Sequence, residues 1–336
     1  MQMRRKAVPV LILALLLTFL FPGNVYGETS GANYRSFANA KALQTYMRWH
    51  AGKEPLISAH RGGPMKGFPE NAIETFENIL CYGPCLIECD VRVTRDSHLV
   101  MMHDATLDRT TNGSGRVSEH TLEELKKLFL KDNDHQLTEY RIPTFGDVLQ
   151  WAIGRAILTV DVKDGVPITQ IISEIQKHKA DGHAIIIVYN LRDLQRVHQL
   201  APSLVISASA YGVMGVKKLF ATGVPAKNLC AFVGVSEPGP VVYEMLHQKG
   251  ISAILGTMHN LDNKAAARGI SVYQKLYRNG ADVLATDNVP LVSQAINDWK
   301  KKSESRLAKF FILRYYEVLK NNVLLDKQKT KKVPSK

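Results

Sequence analysis

Cysteine is scarce in this 336-residue chain: Cys81, Cys85, Cys89 and Cys230 are the only four, and none falls in a zinc-type spacing with histidine. Long apolar runs are scarce too. The most apolar stretch, Val8–Phe21, has 14 residues, short of the roughly 20 that a membrane helix needs. No repeat of fixed short period is evident, which argues against a solenoid. No Gly-rich fingerprint follows the first strand-like run, which argues against a dinucleotide fold. Basic charge is confined rather than spread. Of the net +12, +9 lies in residues 300–336 and +3 in residues 1–27, so the rest of the chain is neutral. The charge therefore gives no reason to expect nucleic acid as a partner.

Residues 1–27 read as a signal peptide. Arg4, Arg5 and Lys6 precede the apolar stretch, and Val25-Tyr26-Gly27 precedes a cut before Glu28. The competing reading is an uncleaved membrane anchor. No cysteine closely follows the apolar stretch, so a lipoprotein anchor is not expected. Export (periplasmic or extracellular) implies an oxidising compartment. A Cys81–Cys85 bridge is one option there, although spacing does not fix connectivity.

The rest of the chain is long enough for one large domain. Residues 28–53 form a lead-in, with a helical pattern over Ala32–Lys53. Residues 54–299 alternate strand-like and helix-like runs. The strand-like runs are Leu56–His60, Leu86–Asp90, Ala156–Val162, Ala184–Tyr189, Leu204–Ala208, Leu229–Val233, Ile251–Leu255 and Ala281–Ala285. Helical patterns include Thr121–Phe129, with Thr121 and Glu124 as a capping box, then Thr144–Ala152, Pro167–His178 and Ala265–Arg278. Eight strands alternating with helices predict a closed (β/α)8 TIM-type barrel. An open doubly wound sheet is the runner-up. Leu99–His103 is set apart from the eight. The turn at Thr94–His98 is too short for a parallel crossover, so this run folds back on the second strand as a β-hairpin excursion. Residues 300–336 are a basic tail. It interleaves Phe310, Phe311, Tyr315 and Tyr316 with cations, and it fits either a closing helix with a solvated end or a contact with an anionic membrane or cell wall.

Glu88 and Asp90 share one strand face, which suits a hard divalent cation. His103 returns to their level on the hairpin. Cys89, between them, faces the outer helices as a small buried residue. These residues follow His60-Arg61-Gly62 and Pro69-Glu70-Asn71, and precede His103-Asp104, Arg109-Thr110-Thr111 and Val160-Asp161-Val162-Lys163.

Taken in order, these motifs resemble the glycerophosphodiester phosphodiesterase family, a branch of the phospholipase-C-like phosphodiesterase barrels. The resemblance implies a metal-dependent hydrolase giving glycerol 3-phosphate and an alcohol. It makes His60 and His103 the acid–base pair, and Glu88, Asp90 and Asp161 ligands of one Ca²⁺ or Mg²⁺. Arg61 and Lys163 would contact the phosphate. Asp161 stands where the family usually has Glu. Gly256 stands where the family often has a Trp that lines the pocket, so the pocket is either wider or filled from elsewhere. Variants acting on lysophospholipids or wall polymers fit as well, and a non-catalytic binding barrel is the reading of another class. Glu70 and Asn71 read as helix-start caps, and Arg109-Thr110-Thr111 as an ordering loop.

Overall fold

The computed structural model describes residues 31 and 33–302. The expected signal peptide and nearly all of the expected basic tail lie outside the described residues. Eleven strands are present among the described residues. They are β1 (Leu56–Ala59), β2 (Cys85–Val93), β3 (Leu99–Met101), β4 (Phe129–Lys131), β5 (Leu137–Arg141), β6 (Ile157–Val162), β7 (Ala184–Val188), β8 (Val205–Ser209), β9 (Leu229–Gly234), β10 (Ser252–Gly256) and β11 (Val283–Thr286).

Eight of them close a parallel ring in the order β1-β2-β6-β7-β8-β9-β10-β11, with β11 pairing back onto β1. This is the TIM-type barrel. β3 pairs antiparallel with β2, Val91 opposite Met101 and Val93 opposite Leu99, which is the expected hairpin excursion. The barrel wall sorts residues by alternation. Leu56, Leu86, Ile157, Ile185, Val205, Cys230 and Val283 fill the interior. Their neighbours Ile57, Ile87, Leu158 and Ile186 join the apolar layer under the outer helices. Cys89 is in that outer layer, fully buried.

The lead-in helix covers only Ala40–Met47, within the wider Ala32–Lys53 pattern. Phe37, Leu43 and Met47 belong to the interior cluster, so this segment plugs the amino-terminal end of the barrel. Two expectations need correction, and one open option is not taken. The Thr121–Phe129 helix is a single turn, Leu122–Leu125; its capping box forms, but β4 and β5 follow as a hairpin. Asp132 makes that hairpin's turn by accepting the backbone N–H of Asp134 and of Gln136, each at 2.9 Å. The Ala265–Arg278 helix is two helices, Asn260–Arg268 and Ser271–Arg278, parted at Gly269 with φ 82°. Cys81 and Cys85 are not bridged: the Cys85 Sγ faces the Gly83 carbonyl at 3.3 Å, and all four thiols are free.

Candidate active site

The carboxyl ends of the barrel strands carry the candidate residues, the end where this architecture places its chemistry. Inward alternation puts Leu86, Glu88 and Asp90 of β2 in the barrel, with Ile157, Thr159 and Asp161 of β6 beside them. Parallel register sets Asp90 level with Asp161 and Glu88 level with Thr159. The ligating atoms of Glu88, Asp90 and Asp161 all lie within 4.8 Å of one another, and all three residues are buried.

Three buried carboxylates this close repel unless a cation joins them. Lys163 supplies part of the compensation, its Nζ lying 2.7 Å from Asp90 Oδ1 and 2.6 Å from Asp161 Oδ2. Burial and the neighbouring Asp90 charge push Glu88 well above the usual carboxylate range, although the Arg61 backbone N–H opposes this. Burial also pushes Asp90 up, but the Lys163 ammonium, aided by Asn71, outweighs it and holds the carboxyl below its usual value. Burial lowers Lys163, and the charges of Asp90 and Asp161 more than reverse this. Asp161 Oδ1 is buried with no hydrogen-bond partner among the described residues. An orphaned oxygen in an all-oxygen cluster fits a hard divalent ion. Asp161 reaches the cluster despite its short side chain because its Cα is in register with that of Asp90.

His60, Arg61 and Gly62 form one tight turn after β1. Arg61 is left-handed, with φ 53°, a conformation that costs a non-Gly residue about 1 kcal/mol or more. The turn aims the Arg61 backbone N–H at Glu88 Oε2, 2.6 Å away. Gly62 must be glycine on two counts. Its φ is +83°, and a Cβ there would sit 2.2 Å from the ring of the buried Phe76.

Both histidines are held from behind. His60 Nδ1 is 2.7 Å from Asp287 Oδ1, and His103 Nδ1 is 2.7 Å from Asp104 Oδ1. Arg61 Nη2 is 2.9 Å from His103 Nε2. Arginine has donors only, so His103 Nε2 accepts, and its Nδ1 carries the hydrogen shared with Asp104. The contacts continue as a closed ring. Arg61 donates to Glu70 (3.0 Å), Arg109 donates to Glu70 (2.8 and 2.9 Å) and to Asp104 (2.7 Å), and Asp104 meets His103. Arg109 holds Asp104 well below the usual carboxylate range. For Asp287, burial raises the carboxyl, but the hydrogen bond to His60 and the His60 charge win and lower it.

Glu70 and Asn71 are not helix caps. The helix Ile73–Leu80 starts from Ala72 without a side-chain cap. Asn71 is left-handed at φ 61° and turns inward. It donates to Asp90 Oδ2 at 2.7 Å and accepts the Asp90 backbone N–H at 2.8 Å. Glu70 is the buried hub of the ring. Arg109 does order its loop, and it does so through the same ring. Asp287 was not among the expected site residues, yet barrel closure implies its place. Ala59 pairs with Thr286, so the next residues, His60 and Asp287, must meet. Asp262 braces this turn by accepting the Asp287 backbone N–H at 2.9 Å.

A cavity of about 140 Å³ opens between these groups, lined by His60, Glu88, Asp161, Tyr189, Phe232 and Met258 among others. The space a side chain at Gly256 would need is filled from elsewhere. A Cβ there would lie 3.0 Å from Val235 and 3.2 Å from the Phe232 ring. A larger surface depression, about 540 Å³, sits at the amino-terminal end of the barrel by Lys41, Arg48 and Lys227 and holds none of the candidate residues.

The fold is a parallel (β/α)8 barrel, and its site is a buried carboxylate cluster faced by two braced imidazoles. The sequence model of the glycerophosphoryl diester phosphodiesterase family matches residues 60–291, and the chain belongs to that family. It is 38% identical over 159 residues to the glycerophosphodiester phosphodiesterase of Caldanaerobacter subterraneus subsp. tengcongensis, over 45% of this chain and 65% of that protein. The match to the Bacillus subtilis glycerophosphodiester phosphodiesterase is 34% identical and covers 44% of this chain and 57% of that protein. The chain thus spans somewhat under two thirds of the length of these two relatives. A crystal structure of a glycerophosphoryl diester phosphodiesterase from Parabacteroides distasonis superposes with TM-score 0.76 at 35% identity, covering 80% of this chain and 95% of that one.

Proposed function

We propose that the chain is an exported, metal-dependent glycerophosphodiester phosphodiesterase that releases glycerol 3-phosphate and an alcohol. The observation that carries this reading is the buried Glu88, Asp90 and Asp161 cluster facing two histidines whose Nδ1 atoms are each held by an aspartate. Glu88, Asp90 and Asp161 would hold one Ca²⁺ or Mg²⁺, which when bound offsets the phosphodiester charge. Family membership supports the reaction class.

The two imidazoles divide the proton work. The glycerol hydroxyl beside the ester attacks phosphorus, and its proton passes to one imidazole at Nε2. The phosphorus–oxygen bond to the alcohol breaks, and the alcohol takes a proton from the other imidazole. Water then opens the cyclic phosphate with the roles exchanged, which returns both imidazoles to their starting states. Asp287 and Asp104 keep the two rings oriented throughout. Arg61 and Lys163 supply fixed positive charge at the phosphate oxygens. Arg61 Nε, a buried donor without a hydrogen-bond partner among the described residues, supports an anionic ligand there.

The test is release of glycerol 3-phosphate from glycerophosphocholine with Ca²⁺, with Mg²⁺ and with chelator. Metal-dependent release is expected; no release with either metal would overturn the reading. Export rests on the charged start and the apolar stretch of residues 1–27 and predicts a mature amino terminus at Glu28. Sequencing a mature chain that begins at Met1 would sink it. The basic residues 300–336 would give a weak contact with anionic membrane or cell wall, testable by co-sedimentation with anionic vesicles against neutral ones.

A further inference from the structure

The depression at the amino-terminal end of the barrel, about 540 Å³, is walled by three cations. These are Lys41, Arg48 and Lys227, with Gln44, Thr45 and Ser203 between them, and no carboxylate lines it. Among the described residues, none of the three cations makes an ion pair or a side-chain hydrogen bond. The sequence around them withholds acids as well. Neither Asp nor Glu occurs from Thr29 to Lys53, which supplies Lys41 and Arg48, or from Leu194 to Ser236, which supplies Ser203 and Lys227. Both runs are far longer than the ordinary spacing of the 31 acids in this 336-residue chain. At the same end of the barrel, Glu54 already meets Lys300 at 2.8 Å, and Asp282 meets His247 at 2.9 Å.

The walls are held in place by buried amides. The Gln44 side chain donates to the Ser203 carbonyl at 2.7 Å, which ties the helix Ala40–Met47 to the loop before β8. The fully buried Asn228 side chain donates to the carbonyls of Pro202 at 2.9 Å and Leu204 at 2.8 Å, which ties the Lys227 turn to the same loop. Arg48 is seated by a glycine. Gly250 has φ +72°, and a Cβ there would lie 2.8 Å from Arg48 Nε. A lone surface cation is satisfied by water and needs no partner. Three cations brought to one concavity repel one another, and an anion there would relieve them. The volume falls in the range that holds a small molecule. Arg48 can fork onto a phosphate, with the two lysines acting as point charges beside it.

We propose that this depression is a second ligand site, taking a small soluble anion that carries two or more phosphate groups. It lies at the opposite end of the strands from His60 and the acidic cluster, so the proposal is independent of the phosphodiesterase reading. Its concave shape favours a discrete anion over a flat bilayer.

The probes are fructose 1,6-bisphosphate and tripolyphosphate. Each is titrated calorimetrically into the full chain at about 0.15 M ionic strength, without added divalent ion, which tripolyphosphate would sequester. Arg48→Gln and Lys227→Gln each remove one charge at an exposed position. Thermal melts check folding, and Lys41→Gln replaces either variant if it fails to fold. At least one probe should bind with a Kd of about 1 mM or tighter. Each variant should weaken that binding about tenfold or more, the effect of losing one charge-assisted hydrogen bond, and should leave metal-supported release from glycerophosphocholine unchanged. Binding of neither probe overturns the proposal and leaves the phosphodiesterase reading standing. Equal binding by the parent and the folded variants overturns it and assigns the probe to other cations of the chain, such as those of residues 303–336. Binding that Arg61→Gln abolishes overturns it in favour of the catalytic pocket. Variants that bind both probes as the parent does, yet sediment less with anionic vesicles, overturn it in favour of a membrane contact.

Discussion

Asn71 offers a sharp test of how the acidic cluster is built, because its amide makes both bonds that fix Asp90 from behind. One holds the carboxylate at 2.7 Å, and the other takes the backbone N–H at 2.8 Å. Both residues are buried. Asn71→Gly removes the two bonds while keeping a residue at ease with φ 61°. Two buried polar groups then lose their partners, at about 1–3 kcal/mol each. The metal-free protein should lose roughly 2–6 kcal/mol, a large part of the about 5–15 kcal/mol that holds an ordinary domain together. Asn71→Ala should lose about 1–2 kcal/mol more, because alanine resists the left-handed turn. Affinity for Ca²⁺ or Mg²⁺ should fall about 10–100-fold in both variants, the usual effect of removing a group that orients a ligand. Urea denaturation in chelator measures the first effect, and calorimetric titration of the ion measures the second. A glycine variant that unfolds at the same urea concentration as the parent, and binds the ion equally well, would refute the reasoning.

Three other outcomes are expected. His60→Ala and His103→Ala should each slow turnover by roughly 10²–10⁴-fold and still bind the ion, whereas Glu88→Ala and Asp90→Ala should weaken ion binding and recover some activity at high metal concentration; calorimetry on all four variants separates the roles, and loss of the ion in a histidine variant would make that imidazole a ligand. Burial holds His183 at about 4 against an ordinary 6.5, and its Nε2 accepts the Gly154 backbone N–H at 3.2 Å. The unfolded chain therefore takes up this proton first as pH falls, so the stability tied to His183 is whole above about 6.5 and fades toward pH 4, by up to about 3 kcal/mol; denaturation midpoints from pH 8 to pH 4.5 should show that slope, and His183→Gln should remove it. Truncation after Asp326 should leave turnover of a small soluble diester intact, since every candidate catalytic residue lies far earlier in the chain, and a folded truncation with greatly reduced turnover would contradict this.

Much of the fold is legible in the sequence, for a simple reason. A parallel barrel buries its strands on both faces, so they stand out as short apolar runs between helical patterns. The acidic pair on β2 was readable because alternation alone puts Glu88 and Asp90 on one face. Other features needed geometry that local rules do not carry. Glu70 and Asn71 precede a helix, so a capping role was locally sufficient; only the left-handed turn at Asn71 swings the pair over β2. The β4–β5 hairpin hid because Asp132–His135 reads equally well as the loop after a helix. The filling of the Gly256 position depends on a register shift between β9 and β10, where Ile254 pairs with Phe232 but Leu255 with Gly234. That shift has no signature in residue type. Asp287 was within reach, since it follows from closing the ring between the last strand and the first.

That closure also sets when the site can exist during synthesis. The acidic cluster draws on β2 and β6, both made in the first half of the chain. The His60 brace comes from Asp287, 227 residues later, beyond the last strand to be made. A nascent chain can therefore assemble its carboxylates long before it can hold its first histidine in place. Catalytic competence is tied to the closing of the ring, so chains that end before Asp287 should be inert even where their metal ligands are intact.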